Sequence, residues 1–161
     1  IESEDGGFRK SAIDNNGYYI GRYEARTNVT RTTSTSDDKL TQVTERPEAY
    51  VYNWVTQPQA AKLSREMYTD NNFKSDLVNS YAWDTTIVFA QTFDNRLDKT
   101  KQYSKQTSLN LSNFLNTGTN NLELKDLICN IFDMASNDWE WTTETSLSKE
   151  LSCIARGRGI S

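Results

Sequence analysis

The sequence predicts an α+β domain in which two helices lie between β-rich segments. Three observations carry this expectation. Residues 17–26, GYYIGRYEAR, alternate Tyr18, Ile20, Arg22 and Glu24 with Tyr19, Gly21, Tyr23 and Ala25, the period-two pattern of a strand with one wet face. Residues 57–68 and 83–93 instead repeat apolar side chains at helical spacing. Then LELKDLICNIFDM brings the chain back towards a core, and WEWTTET follows as a strand.

Each segment has its own signals. Residues 1–16 are charged and contain glycine, and they read as a loose lead-in. Residues 27–38 are rich in Ser, Thr and Asp, the composition of a solvated loop. Residues 39–55 recover short β-like alternation, broken by Pro47. The first helix is well signed. Thr56 is a good N-cap, Gln59 completes a capping box and Pro58 fits the first turn. Ala60, Leu63 and Met67 form its apolar stripe, and the chain leaves the helix before Asp70. In the second helix Trp83, Ile87, Ala90 and Phe93 make a stripe that Val88 and Phe89 widen, so the helix is expected to be largely buried. Residues 94–121 are polar and weakly periodic, with one short element expected near 109–115. No internal repeat is present.

The chain has 161 residues, which predicts one domain, residues 1–161, able to bury a core. Apolar residues make up only 35%, but four Trp, eight Tyr and six Phe supply large buried areas. Net charge is −4 and the pI is near 4.9. An acidic chain with scattered basic residues argues against a nucleic-acid partner, which needs a basic footprint. There is no histidine, which removes Ser-His-Asp and Cys-His catalysis and histidine zinc sites. A bound metal would have to be a hard, oxygen-bound cation. Cys129 and Cys153 allow one disulfide at most, and two unpaired, half-buried thiols are expected; the apolar setting of Cys129, between Ile128 and Ile131, does not suggest a reactive thiol. No run is apolar enough to insert in a membrane, and no signal peptide opens the chain. The chain starts at Ile1, as a processed or excised segment does.

NIFDMASNDWEW, residues 130–141, sets Asp133, Asp138 and Glu140 among Phe132, Met134, Trp139 and Trp141. Such a stretch can be a metal loop, an aromatic shelf for a sugar, or a buried turn. Its context adds GYYIGRYEA, then YNWVTQPQAAKLS followed by AWD, and finally CIARGRG. In that order these segments resemble the formylglycine-generating-enzyme (sulfatase-modifying-factor) family, in its bacterial and prophage members. The family's Asp/Asn, its Gly-Asn-x-Trp-Glu-Trp signature and its later Arg-Gly-Gly match Asp133, Ser136-Asn137-Asp138-Trp139-Glu140-Trp141 and Arg156-Gly157-Arg158-Gly159. The family's second glycine of Arg-Gly-Gly is replaced by Arg158 here, or is displaced to Gly159. The family also continues for several tens of residues past this point, so the resemblance implies either a domain lacking its C-terminal part or one that closes its sheet differently.

The resemblance implies a C-type-lectin-like fold: two helices packed on a small twisted antiparallel sheet with long irregular loops. The variable proteins of diversity-generating retroelements share that frame. In the family's enzymes the signature loop wraps calcium. By motif position the side chains of Asp133 and Glu140 and the carbonyls of Ser136 and Asp138 would be the ligands here. Those enzymes oxidise a substrate cysteine with a copper-bound cysteine pair, and neither Cys129 and Cys153 occupies the catalytic positions. The family packs the two signature tryptophans inward, so Trp139 and Trp141 are expected in the core, as are Trp54 and Trp83. Tyr81 and Tyr103 are candidate ligand contacts, since adaptable binding faces favour tyrosine.

The function these features imply is non-enzymatic ligand binding, for receptor recognition or adhesion. The domain would belong to a phage tail or a bacterial surface protein, outside the cell or on the virion. Its partner would be a protein or glycan on a cell surface, and it would itself be capable of forming a homo-oligomer. The alternatives are a divergent cysteine oxidase and a structural module of a fibre or virion.

Overall fold

The computed structural model describes residues 2–27, 44–45, 50–69, 72–95, 127–135, 137–145 and 153–157. In chain order its elements are α1 (Glu2–Asp14), β1 (Ala25–Thr27), β2 (Thr44–Glu45), β3 (Tyr50–Val51), α2 (Gln57–Met67), α3 (Ser80–Phe93), β4 (Leu127–Ile128), β5 (Ile131–Phe132), β6 (Glu140–Trp141) and β7 (Ala155–Arg156). The class is α+β, as the sequence predicts. Among the described residues the pairing is antiparallel and divided among three small sheets, ordered β2-β1-β3, β4-β5 and β6-β7.

Residues 1–16 were expected to be loose, yet residues 2–14 form α1. The end of the helix explains why. Asn16 takes a left-handed φ of 57° and Gly17 a φ of 139°. The Gly17 N–H then donates to Ala12 O (2.7 Å) and the Asn16 N–H to Ile13 O (3.3 Å), the paired bonds of a Schellman cap. Tertiary contacts hold the helix from outside. Phe8 meets Tyr18 edge-on at 5.1 Å, and the Arg9 guanidinium lies 5.4 Å from the Tyr81 ring on α3.

The strand expected over residues 17–26 is confined to β1 at its end. Upstream, the chain is used for anchoring. The Tyr18 hydroxyl donates to Ala82 O on α3 (2.9 Å), Arg22 O accepts from the Phe132 N–H (2.8 Å), and Tyr23 stacks on Phe132 at 5.2 Å. Those bonds to other elements take the place of a continuous ladder. In the three-stranded sheet Arg26 sits opposite both Thr44 and Val51. The short β segments on either side of Pro47 therefore both pair with β1.

Helix α2 starts where its caps predict. Gln59 Oε1 accepts from the Thr56 N–H at 2.9 Å and from the Thr56 hydroxyl at 3.0 Å. Leu63 is buried, with Ala60 and Met67 half-buried beside it. Helix α3 begins three residues before the predicted start, because the Asn79 side chain caps it by accepting from the Ala82 N–H (2.9 Å). Its buried face is Ala82, Trp83, Thr86 and Ala90. Phe93, expected in the buried stripe, is 65% exposed, and Val88 and Phe89, expected to widen it, are 64% and 46% exposed. One helix face suffices to cover the small β pairs, so the other apolar residues are left outside.

Two apolar clusters form the described core. Trp83 and Ala90 pack with Ile128, Met134 and Ala135. Tyr52 and Leu63 pack with Val55 and Met67. Trp54 is not core: it is 52% exposed and holds a left-handed φ of 53°. No helix among the described residues is long and apolar enough to cross a membrane. Tyr103, Ser136, the loop beyond Thr27 and the element expected near 109–115 lie outside the described residues.

The β4-β5 hairpin closes through Cys129 and Asn130 alone, since Ile128 pairs with Ile131. Both loop residues have positive φ, 48° and 69°, the signature of a type I′ turn, which prefers Asn-Gly. Asn130→Gly is expected to stabilise the chain by about 0.5 kcal/mol, because glycine takes this conformation without strain. A rise in the urea midpoint at unchanged slope checks it.

Candidate functional site

The 133–142 segment is positioned by backbone turns that few residues favour. Asp133 and Asn137 take φ of 60° and 70°, a region that Asp and Asn tolerate better than most side chains. Asp133, Ala135 and Thr142 have no exposed surface, and Asn137 is only 2% exposed. Gly157, at φ 86°, lies close against this loop: a Cβ there would stand 3.6 Å from Asp138 O.

Thr142 locks the end of the segment. Its N–H and hydroxyl both donate to Ile154 O, at 3.1 and 3.0 Å. Its carbonyl accepts from Gln57 Nε2 (3.0 Å), which ties β6 to α2. Arg156 grips Glu144 through two bonds, Nε to Oε2 at 2.7 Å and Nη2 to Oε1 at 2.8 Å. Such forked pairs are among the stronger ionic hydrogen bonds. Accordingly the bonds from Arg156 hold the Glu144 carboxyl below its ordinary value. The same guanidinium lies 5.3 Å from the Trp83 ring and reaches Asp84 at 3.3 Å.

Between the loop, β1, β3 and α2 lies a cleft of about 170 Å³. Val51, Val55, Leu63, Leu77, Val78 and Trp141 give it apolar walls, and Glu24, Asp138 and Glu140 add carboxylates. Trp139 lines it while remaining 52% exposed. This overturns the expectation that Trp139 is core. Its neighbour Trp141 is half-buried and donates from Nε1 to Val55 O (2.7 Å). Trp83, by contrast, is the buried tryptophan that the sequence predicts, 8% exposed, and it donates from Nε1 to Glu140 Oε2 (3.0 Å). Tyr81 is exposed on α3, under Arg9, and does not line the cleft.

Glu24 is the site residue that sequence reasoning missed. It was one polar position in an apparent strand, and only the tertiary fold brings it to the loop. Asn137 Nδ2 donates to its Oε2 at 2.6 Å. Burial, followed by repulsion from Asp133 and Glu140, pushes the Glu24 carboxyl well above its ordinary value. Burial also raises Asp138, against the pull of the Trp139 N–H bonded to its Oδ1 at 2.7 Å.

Of the four positions implied for calcium, Asp133, Asp138 and Glu140 are brought into one acidic neighbourhood around Glu24. Among the described residues no group of three or more Asp, Glu or Cys side chains is placed to hold a metal ion. Cys129 and Cys153 are both half-buried, and no disulfide joins them. Compared with protein-family models, with curated proteins and with solved structures, the chain matches none.

Proposed function

We propose that this protein is a non-enzymatic ligand-binding domain of C-type-lectin-like fold, serving recognition or adhesion on a phage tail or a bacterial surface. The observation that carries the reading is the cleft beside Trp139, where a half-exposed indole adjoins apolar walls and carboxylates. Binding sites are typically concave and mostly apolar, with a few placed polar groups. An exposed tryptophan at such a site is a natural anchor for a protein or glycan. The fold assignment rests on the order of the segments and on the 133–141 signature, and assigning function from it is an analogy. The ligand is a cell-surface protein or glycan, not nucleic acid, and the domain acts alone or as a homo-oligomer.

The reading includes calcium at the signature loop, on Asp133 and Glu140 with the carbonyls of Ser136 and Asp138. Calcium favours such a mixture of carboxylate and backbone oxygens. The fit is incomplete among the described side chains, so the ion is assigned no role in contacting ligand.

Screening the 161-residue chain against arrays of glycans and cell-surface proteins, with calcium and with chelator, tests the proposal. A saturable hit that Trp139→Ala weakens at least tenfold is the expected result. Silence on every array would favour the structural-module alternative. Copper-dependent oxidation of a cysteine peptide by the chain would replace binding with catalysis.

A further inference from the structure

We propose that the cleft beside Trp139 takes a protonated alkylamine, presented as a lysine side chain of a protein partner. The inference rests on the ligand-binding reading and names the chemistry of its ligand. Three features of the cleft act together.

First, the lining is divided by polarity. Val51, Val55, Leu63, Leu77 and Trp141 would cover an apolar stem, while Glu24 and Asp138 would receive a charged head. A lysine side chain has that division, a hydrocarbon stem ending in a compact ammonium. The cleft of about 170 Å³ has room for a side chain.

Second, the charge is one-sided. Among the described residues, the charged side chains that line the cleft are Glu24, Asp138 and Glu140, all carboxylates. Arg156, the cation at the neighbouring β6-β7 pair, is engaged by Glu144 and Asp84. Clustered, desolvated carboxylates repel one another, and an entering cation relieves that repulsion. A neutral sugar could stack on Trp139 but would leave the repulsion in place. A calcium ion on Asp133 and Glu140 would leave Glu24 and the apolar walls for another ligand.

Third, Trp139 stands half-exposed beside Asp138, whose Oδ1 is held by the Trp139 N–H. An indole face beside carboxylates attracts an ammonium through its ring quadrupole.

The probe is Nα-acetyl-lysine amide, with the norleucine amide as its uncharged counterpart. Both are titrated into the 161-residue chain while the indole resonances of Trp139 and Trp141 are followed by NMR. The lysine probe is expected to shift both resonances saturably, with a Kd on the order of 1 mM, a value suited to so small a ligand. The norleucine probe should shift them at least tenfold more weakly. Glu24→Gln and Asp138→Asn should each weaken the lysine probe about tenfold while leaving the folded spectrum intact.

Equal response to the two probes would overturn the proposal, as would no response to either or a response to calcium alone. If an array hit maps to Trp139 while the lysine probe is silent, the amine falls and the binding reading stands. If arrays and probe are both silent, both fall.

Discussion

Glu24→Gln stabilises the folded chain above pH 5 and weakens the binding of a cationic ligand. The stability half follows from where the carboxyl sits. Burial and the neighbouring Asp133 and Glu140 raise its pKa well above the ordinary 4.5. A carboxyl raised on folding binds its proton more tightly in the native state. The cost of ionising it is absent below the unfolded pKa and accumulates as pH rises towards the folded pKa, at about 1.4 kcal/mol per pH unit. Glutamine carries no such cost, and its amide oxygen can still accept the Asn137 bond that now reaches Glu24 Oε2.

The gap between variant and parent should therefore be small near pH 4 and widen towards pH 7. A gain of about 1–2 kcal/mol would raise Tm by several degrees for a chain of this size. Urea melts across pH 4 to 8 measure it, and parallel curves would show that Glu24 titrates as an exposed carboxylate. A buried charge kept for packing would not couple the two effects. One that gives up stability for a ligand does, as strained functional sites often do.

How far the sequence showed this depends on the range of the forces. Local signals were legible. Thr56, Pro58 and Gln59 placed the start of α2 at Gln57, where it lies. The stop signal of α1, Asn15-Asn16-Gly17, was equally local, but low apolar content hid the helix before it. Long-range signals were not legible. The alternation in residues 17–26 indicated a strand, while Tyr18 and Arg22 in fact spend their polar groups on Ala82 and Phe132.

The signature loop divides in the same way. Its sequence marked Asp133 and Glu140 as residues of interest, and both stand near Glu24. Nothing in it could show that Trp139 faces outward while Trp83, 56 positions earlier in the chain, takes the buried place and bonds Glu140. That choice depends on which element arrives to cover the loop, and the element is α3.

Trp83 is consequently the residue through which core and site depend on each other. It packs with Ala90, Ile128, Met134 and Ala135, and lies under the Arg156 guanidinium. Its Nε1 also donates to Glu140 Oε2 on the wall of the cleft. Trp83→Phe leaves a void in the cluster and removes the donor from a half-buried carboxylate. The expected loss is about 2–3 kcal/mol, combining cavity and hydrogen-bond costs. Phe93→Ala, on the same helix but 65% exposed, should change stability by about 0.5 kcal/mol or less. The contrast isolates packing from helix propensity, because both positions lie within α3. A second readout separates the two roles of Trp83. With Glu140 released, the Trp139 and Trp141 indole resonances should move in Trp83→Phe under conditions where the variant is still folded, and they should stay put in Phe93→Ala. If Trp83→Phe melts like the parent, the cluster does not hold the loop. If it melts lower with those resonances unmoved, Trp83 supports the core without setting the shape of the cleft.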